Sequence, residues 1–92
     1  MDDAGNIPVG IGDQTALAIE NAKKLIEAAG SSLDKVLMCQ CFIKGKEYFS
    51  GMNETYGKFF GGEHSIAPAR YTVIAPLTDD RLLVEIAIIA GL

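Results

Sequence analysis

Residues 82–89 read Leu-Leu-Val-Glu-Ile-Ala-Ile-Ile, which is apolar on both parities of an extended strand and carries one charge, Glu85. Side chains of a strand alternate between the two faces of its sheet, so this strand needs cover on both sides. The rest of the chain offers helical periodicity for two helices, and two helices cover only one face. In a chain of 92 residues the expected cover for the other face is a second copy of the same chain. The pattern therefore predicts a single α+β domain, order α-β-α-β-β, that self-associates through its sheet.

The first helix is predicted over residues 13–29. Asp13 is a suitable N-cap, and Thr15, Ala18, Ala22, Leu25, Ile26 and Ala29 recur at helical spacing on one apolar face. Gly30 is the expected C-terminal stop. A strand follows over 33–43, whose run Val36–Ile43 is apolar on both parities except at Gln40. The second helix is expected over 46–60, with Phe49, Met52, Tyr56 and Phe59 as its core stripe. Gly51 and Gly57 weaken it, and Gly61-Gly62 ends it. Strands at 69–75 and 81–90 close the chain. Residues 1–12 read as an irregular lead-in; Gly10-Ile11-Gly12 has no preceding strand and no third glycine, so it is not a phosphate loop.

Composition excludes several partners. The net charge is −4 and the eight Lys and Arg residues are scattered, which argues against nucleic acid and against an anionic membrane surface. No apolar run approaches the roughly 20 residues that span a bilayer. Met1-Asp2-Asp3-Ala4-Gly5 is acidic and lacks an apolar signal core, so a cytoplasmic location is expected. Cys39 and Cys41 share one face of a strand, with Cβ atoms about 7 Å apart, where a disulfide needs about 4 Å. They read as buried, reduced thiols. A metal site would need further ligands, and the only histidine, His64, lies far along the chain in a loop.

Two charges stand out against this apolar background: Arg70, at the mouth of the fourth element, and Glu85. If the last two strands form an antiparallel hairpin centred near Thr78-Asp79, Thr72 faces Glu85 and Arg70 faces Ala87. Arg70 and Glu85 are then diagonal neighbours on one face, about 7–8 Å apart. A one-residue slip would put them on opposite faces. Two readings stay open at this point. One is an ordinary strand-edge arginine with a solvated glutamate. The other is a site in which the arginine fork holds a carboxylate bidentately, the glutamate acts on water, and Thr72 adds a hydroxyl.

The chain as a whole resembles the YjgF/YER057c/UK114 group, also called the Rid (reactive intermediate deaminase) family. The likeness runs through Gln14-Thr15 and Asn21, then Leu25-Ile26-Glu27-Ala28-Ala29-Gly30-Ser31-Ser32-Leu33-Asp34-Lys35-Val36. It continues through Met52-Asn53-Glu54-Thr55-Tyr56 with Phe59-Phe60, Pro68-Ala69-Arg70 and Val84-Glu85-Ile86. The resemblance implies a chorismate-mutase-like sheet with two helices on one face and the other face buried in a homotrimer. It implies hydrolysis of 2-imino or enamine acids to 2-oxo acids and ammonia in clefts between subunits, with no metal or organic cofactor. Arg70 would hold the substrate carboxylate, Glu85 would position the attacking water, and groups at Tyr71 and Thr72 would help bind and orient the imine. Three features depart from the family pattern. The hairpin of about 35 residues that opens a family domain is not recognisable here, so residues 1–92 read as one N-terminally truncated domain. Ala87 stands where a carboxylate is often found, and Tyr71 is bulkier than the usual small residue. A chain short of one pocket wall could instead be a non-catalytic binder of small carboxylates. Ribonuclease or translation-inhibitor activity, attached to some relatives, is disfavoured by the acidic balance.

Overall fold

The computed structural model describes residues 7–60 and 69–91. Its elements are α1 (Ile11–Ala28), β1 (Val36–Ile43), α2 (Phe49–Phe60), β2 (Ala69–Ile74) and β3 (Val84–Ala90). Single 3-10 turns at Leu33–Lys35 and Lys46–Tyr48 replace the predicted first residues of the strand and of the second helix. Helix α1 starts two residues earlier than predicted. Gly10 is its N-cap, at φ +116°, and Asp13 sits in the first turn, where its charge faces the positive end of the helix. The predicted stop is as expected. Gly30 has φ +90°, its N–H reaches Glu27 O (3.0 Å), and Ser31 N–H reaches Ile26 O (2.8 Å), which is a Schellman closure.

The apolar face of α1 is rotated from the predicted one. Gln14, Thr15 and Ile19 are buried and Ile26 packs on the core, whereas Leu25 is 73% exposed. Residues 15, 19, 22 and 26 run along one side of the helix, and Leu25 falls beside that line. Helix α2 buries Met52, Tyr56 and Phe60, while Phe49 and Phe59 lie toward its margins. Gly51 is explained by packing: a Cβ there would lie 2.5 Å from Ile11 Cγ2, so its absence lets α1 and α2 approach closely.

The sheet order is β2-β1-β3, which corrects the hairpin expectation. Strands β1 and β2 are parallel, joined through α2; β1 and β3 are antiparallel; β2 and β3 do not pair. The linker at 75–83 carries the chain past the end of β1 and does not turn back tightly. It is pinned there by Ala75 N–H to Ile43 O and Lys44 N–H to Leu83 O, both 3.0 Å. Central strand β1 is apolar on both parities, so its composition is compatible with an inserted position between two partners.

From Cys39 onward the odd positions of β1 face the helices; before it, a register shift between Val36 and Met38 buries Val36 and leaves Leu37 exposed. Cys39, Cys41 and Ile43 are buried on the helix side with Ile19, Met52, Tyr56, Phe60 and Val84. Met38, Gln40 and Phe42 point to the other face, in register with Tyr71 and Val73 of β2 and with Glu85, Ala87 and Ile89 of β3. Among the described residues no helix covers this second face, and Tyr71, Val73 and Ile89 remain about 40–50% exposed.

The thiols of Cys39 and Cys41 are free and fully buried. Burial raises both pKa values, that of Cys41 to about 11, because the thiolate would lose its hydration. In the unfolded chain both ionise near pH 9. The unfolded state therefore sheds protons first, and stability falls with rising pH. Urea midpoints should be flat below pH 8.5 and decline from pH 9 to 11, and a Cys41→Ala background should show a shallower decline, the rest belonging to Cys39 and, above pH 10, to Tyr56.

Candidate functional site

Arg70 lies on the outer strand β2, paired with Cys39 and therefore on the helix side of the sheet. Its Nη1 donates to Asn53 Oδ1 at 2.6 Å. The guanidinium carbon stands 4.6 Å from the centre of the Tyr56 ring and 5.8 Å from that of Phe49, within cation–π range of both. Phe49, Asn53 and Tyr56 are spaced four and three residues apart on one side of α2, so a single helical face forms this shelf. Among the described residues no carboxylate pairs with Arg70. The sequence pattern offers Phe49 and Tyr56 as core and gives Asn53 no role of its own. The signal was present in the helical spacing, but it acquires meaning only when β2 lies beneath α2.

Beneath the shelf, Tyr56 Oη lies near Cys39 and Thr72 Oγ1 near Cys41, close enough for each pair to influence the other's ionisation. Neither hydroxyl completes a hydrogen bond with proper geometry, and both are buried without a partner. Burial, reinforced by the neighbouring thiols, raises the Tyr56 pKa well above that of a free phenol, so this phenol stays neutral. Thr72 thus lies with Arg70 on the helix side, whereas Tyr71 points to the open face, opposite Gln40.

Glu85 lies on β3 opposite Phe42, on the open face, where Thr78 Oγ1 donates to its Oε1 at 3.4 Å. The predicted diagonal pair is therefore not formed. Arg70 and Glu85 occupy the two outer strands, on opposite faces, with β1 between them. Two strand spacings alone separate their backbones by about 10 Å. One protomer cannot close both side chains around one small molecule.

A groove of about 350 Å³ runs between α1 and β3. Leu17, Ala18, Leu25, Leu82 and Ile86 make it mostly apolar, and Glu85 lies at its border. Gln14 anchors its floor. Its Nε2 donates to Pro8 O and Arg81 O, both at 2.8 Å, and its Oε1 accepts from Leu83 N–H at 2.7 Å. At the turn before β3, Arg81 binds Asp79 at 2.9 Å on the surface and holds that carboxyl near 2. His64, Pro68 and Gly61-Gly62 lie outside the described residues. Among the described residues no three metal-ligating side chains cluster, and no helix is long and apolar enough to cross a membrane.

A family model described as endoribonuclease L-PSP matches residues 1–92. The chain belongs to this family, that of the YjgF and Rid proteins. This L-PSP family domain is 40% identical over 80 residues to a RutC family protein of Saccharolobus solfataricus, an alignment covering 87% of this chain and 61% of the relative. It thus spans about three-fifths of that relative's length. Its fold matches the conserved Rid-family protein YyfA of Yersinia pestis, with a TM-score of 0.87 and 32% identity over 98% of this chain and 71% of the other. It also matches E. coli TdcF, solved with bound serine, with a TM-score of 0.84 and 32% identity over 95% and 69%. The two-helix, three-strand mixed sheet of this L-PSP domain is accordingly the YjgF-like fold read from its sequence.

Proposed function

We propose that this domain takes part in the hydrolytic deamination of 2-imino and enamine acids to 2-oxo acids and ammonia. The observation that carries the reading is the Arg70 guanidinium, held on its shelf with one N–H engaged by Asn53 and no described carboxylate beside it. Such a fork is suited to a substrate carboxylate. Family membership and a relative solved with bound serine, itself a small carboxylate, support the substrate class. Water positioned by Glu85 would add to C2 of the imine while the carboxylate takes its proton and passes it to the nitrogen. The carbinolamine would then collapse to the ketone, its hydroxyl proton passing through the same carboxylate to the nitrogen, which leaves as ammonia. Tyr71 and Thr72 would flank the substrate.

Because Arg70 and Glu85 face opposite ways within a protomer, this reading requires Glu85 from a neighbouring copy. A homotrimer closed through the open sheet faces would bring copies together and cover Tyr71, Val73 and Ile89. RNA cleavage is not the activity proposed: the net charge is −4 and the cations are scattered.

The test couples a threonine or serine dehydratase to this protein and follows 2-oxo acid formation. Wild type should accelerate it. Arg70→Ala should lower kcat/KM about 100-fold, since two charge-assisted hydrogen bonds are worth roughly 1.5 kcal/mol each. Equal and negligible acceleration by both proteins would sink the proposal.

One observation favours a second reading. The arginine shelf is complete within a single protomer while Glu85 is remote from it, as expected of a binder of 2-oxo acids without turnover. Saturable 2-oxo acid binding by calorimetry, lost in Arg70→Ala and without acceleration of the coupled reaction, would select it.

A further inference from the structure

We infer that Asn53 is a positioning residue for Arg70, and that with the Tyr56 ring it orients the guanidinium so that its Nε–Nη2 edge is presented to a carboxylate. The inference rests on the reading of Arg70 as carboxylate anchor and adds to it the source of the anchor's geometry.

Arginine has four side-chain torsions and is costly to immobilise. A guanidinium that must meet a planar carboxylate with two parallel hydrogen bonds gains from being oriented beforehand. Three contacts do this here, all from one face of α2. Tyr56 lies under the guanidinium at 4.6 Å and blocks one of its faces. Phe49, at 5.8 Å, flanks it. Asn53 Oδ1 fixes rotation about the guanidinium axis by accepting from Nη1 at 2.6 Å. The fork has two edges that can hold a carboxylate bidentately, Nη1 with Nη2 and Nε with Nη2. With one Nη1 hydrogen engaged by Asn53, the edge made by Nε and Nη2 is left whole. No described residue is bonded to that edge.

The identity of residue 53 matters on this account. A neutral amide accepts from Nη1 without cancelling the positive charge, so the guanidinium stays attractive to an anion. A carboxylate at the same place would make an internal ion pair and compete with the ligand. A residue whose only task was to hold α2 against β2 would tolerate the carboxylate at least as well as a methyl group.

The experiment measures binding of a 2-oxo acid by calorimetry, with melting temperatures, for wild type, Asn53→Ala, Asn53→Asp and Arg70→Ala. Asn53→Ala should weaken binding about tenfold, the scale of one charge-assisted hydrogen bond used for orientation. Asn53→Asp should bind more weakly still while melting no lower than Asn53→Ala. Nitrogen-15 spectra should show the Arg70 Nε–H signal sharpened by restricted rotation in wild type and broadened in Asn53→Ala. Unchanged affinity in both Asn53 variants, with binding lost in Arg70→Ala, overturns the role of Asn53 alone. Unchanged affinity in all three variants overturns the carboxylate-anchor reading and this inference with it.

Discussion

Replacing Gln14 by alanine should lower stability by about 3 kcal/mol, one of the largest single-site losses expected in this domain. The side chain is 5% exposed and makes three hydrogen bonds to backbone groups from two distant stretches, Pro8 on one side and Arg81 and Leu83 on the other. Truncation leaves one N–H and two carbonyls without partners, and each such buried group costs roughly 1–3 kcal/mol before relaxation. In a domain of this size the melting temperature should fall by roughly 15 °C. Gln14→Glu separates lost volume from lost donors. It keeps the acceptor for Leu83 N–H but sets a carboxylate against the carbonyls of Pro8 and Arg81. Those carbonyls raise the folded-state pKa of the new carboxyl above its unfolded value near 4.3. The folded state then binds the extra proton more tightly, so the variant should be weakest at pH 7 and regain stability as the pH falls toward 4. A Gln14→Ala melting curve within about 3 °C of wild type would show that the network is dispensable.

The second large effect is functional. Neither Arg70→Ala nor Glu85→Gln should retain more than a small fraction of wild-type activity, yet an assembly containing both should recover part of it. The reason is the register: Arg70 pairs with Cys39 on the helix side of β1, and Glu85 pairs with Phe42 on the other side. On the proposed reading, a composite site would take its arginine from one copy and its glutamate from the next. In an equal, randomly assembled mixture about a quarter of the sites receive both intact residues. Co-expression of two differently tagged variants, isolation of the mixed oligomer and the coupled dehydratase assay would measure this. Mixed oligomers without recovered activity would rule out a shared site.

What was legible in the sequence follows from the kind of signal each feature leaves. The two helices announced themselves by apolar spacing and by Gly30, because a helix satisfies its hydrogen bonds locally. The thiols of Cys39 and Cys41 were placed on one buried face by the two-residue period alone. Strand partners leave no such local trace. Adjacent strands in the chain suggested a hairpin, but β1 is apolar on both parities and fits equally well between two neighbours, and the 75–83 linker is long enough to pass its end. That single difference moved Glu85 to the face opposite Arg70. Leu25 was misplaced for a related reason: it continues the apolar count of α1 yet stands at the groove beside β3, off the line through Ile19 and Ile26. Gln14 and Asn53 were legible as part of the family pattern, with no role attached. Their importance comes from backbone and guanidinium groups that long-range folding brings to them.

The outer edge of β3 has a consequence for handling the protein at high concentration. No described strand pairs with that edge, and the segment Val-Glu-Ile-Ala-Ile-Ile-Ala contains no proline, no lysine and one charge. Segments of this kind recruit other chains by edge-to-edge pairing unless a charge interrupts them. Glu85 is that interruption. Any substitution that neutralises it removes a solubility gatekeeper along with a candidate catalytic group, so precipitation of a Glu85 variant would report on the strand edge and not on the chemistry.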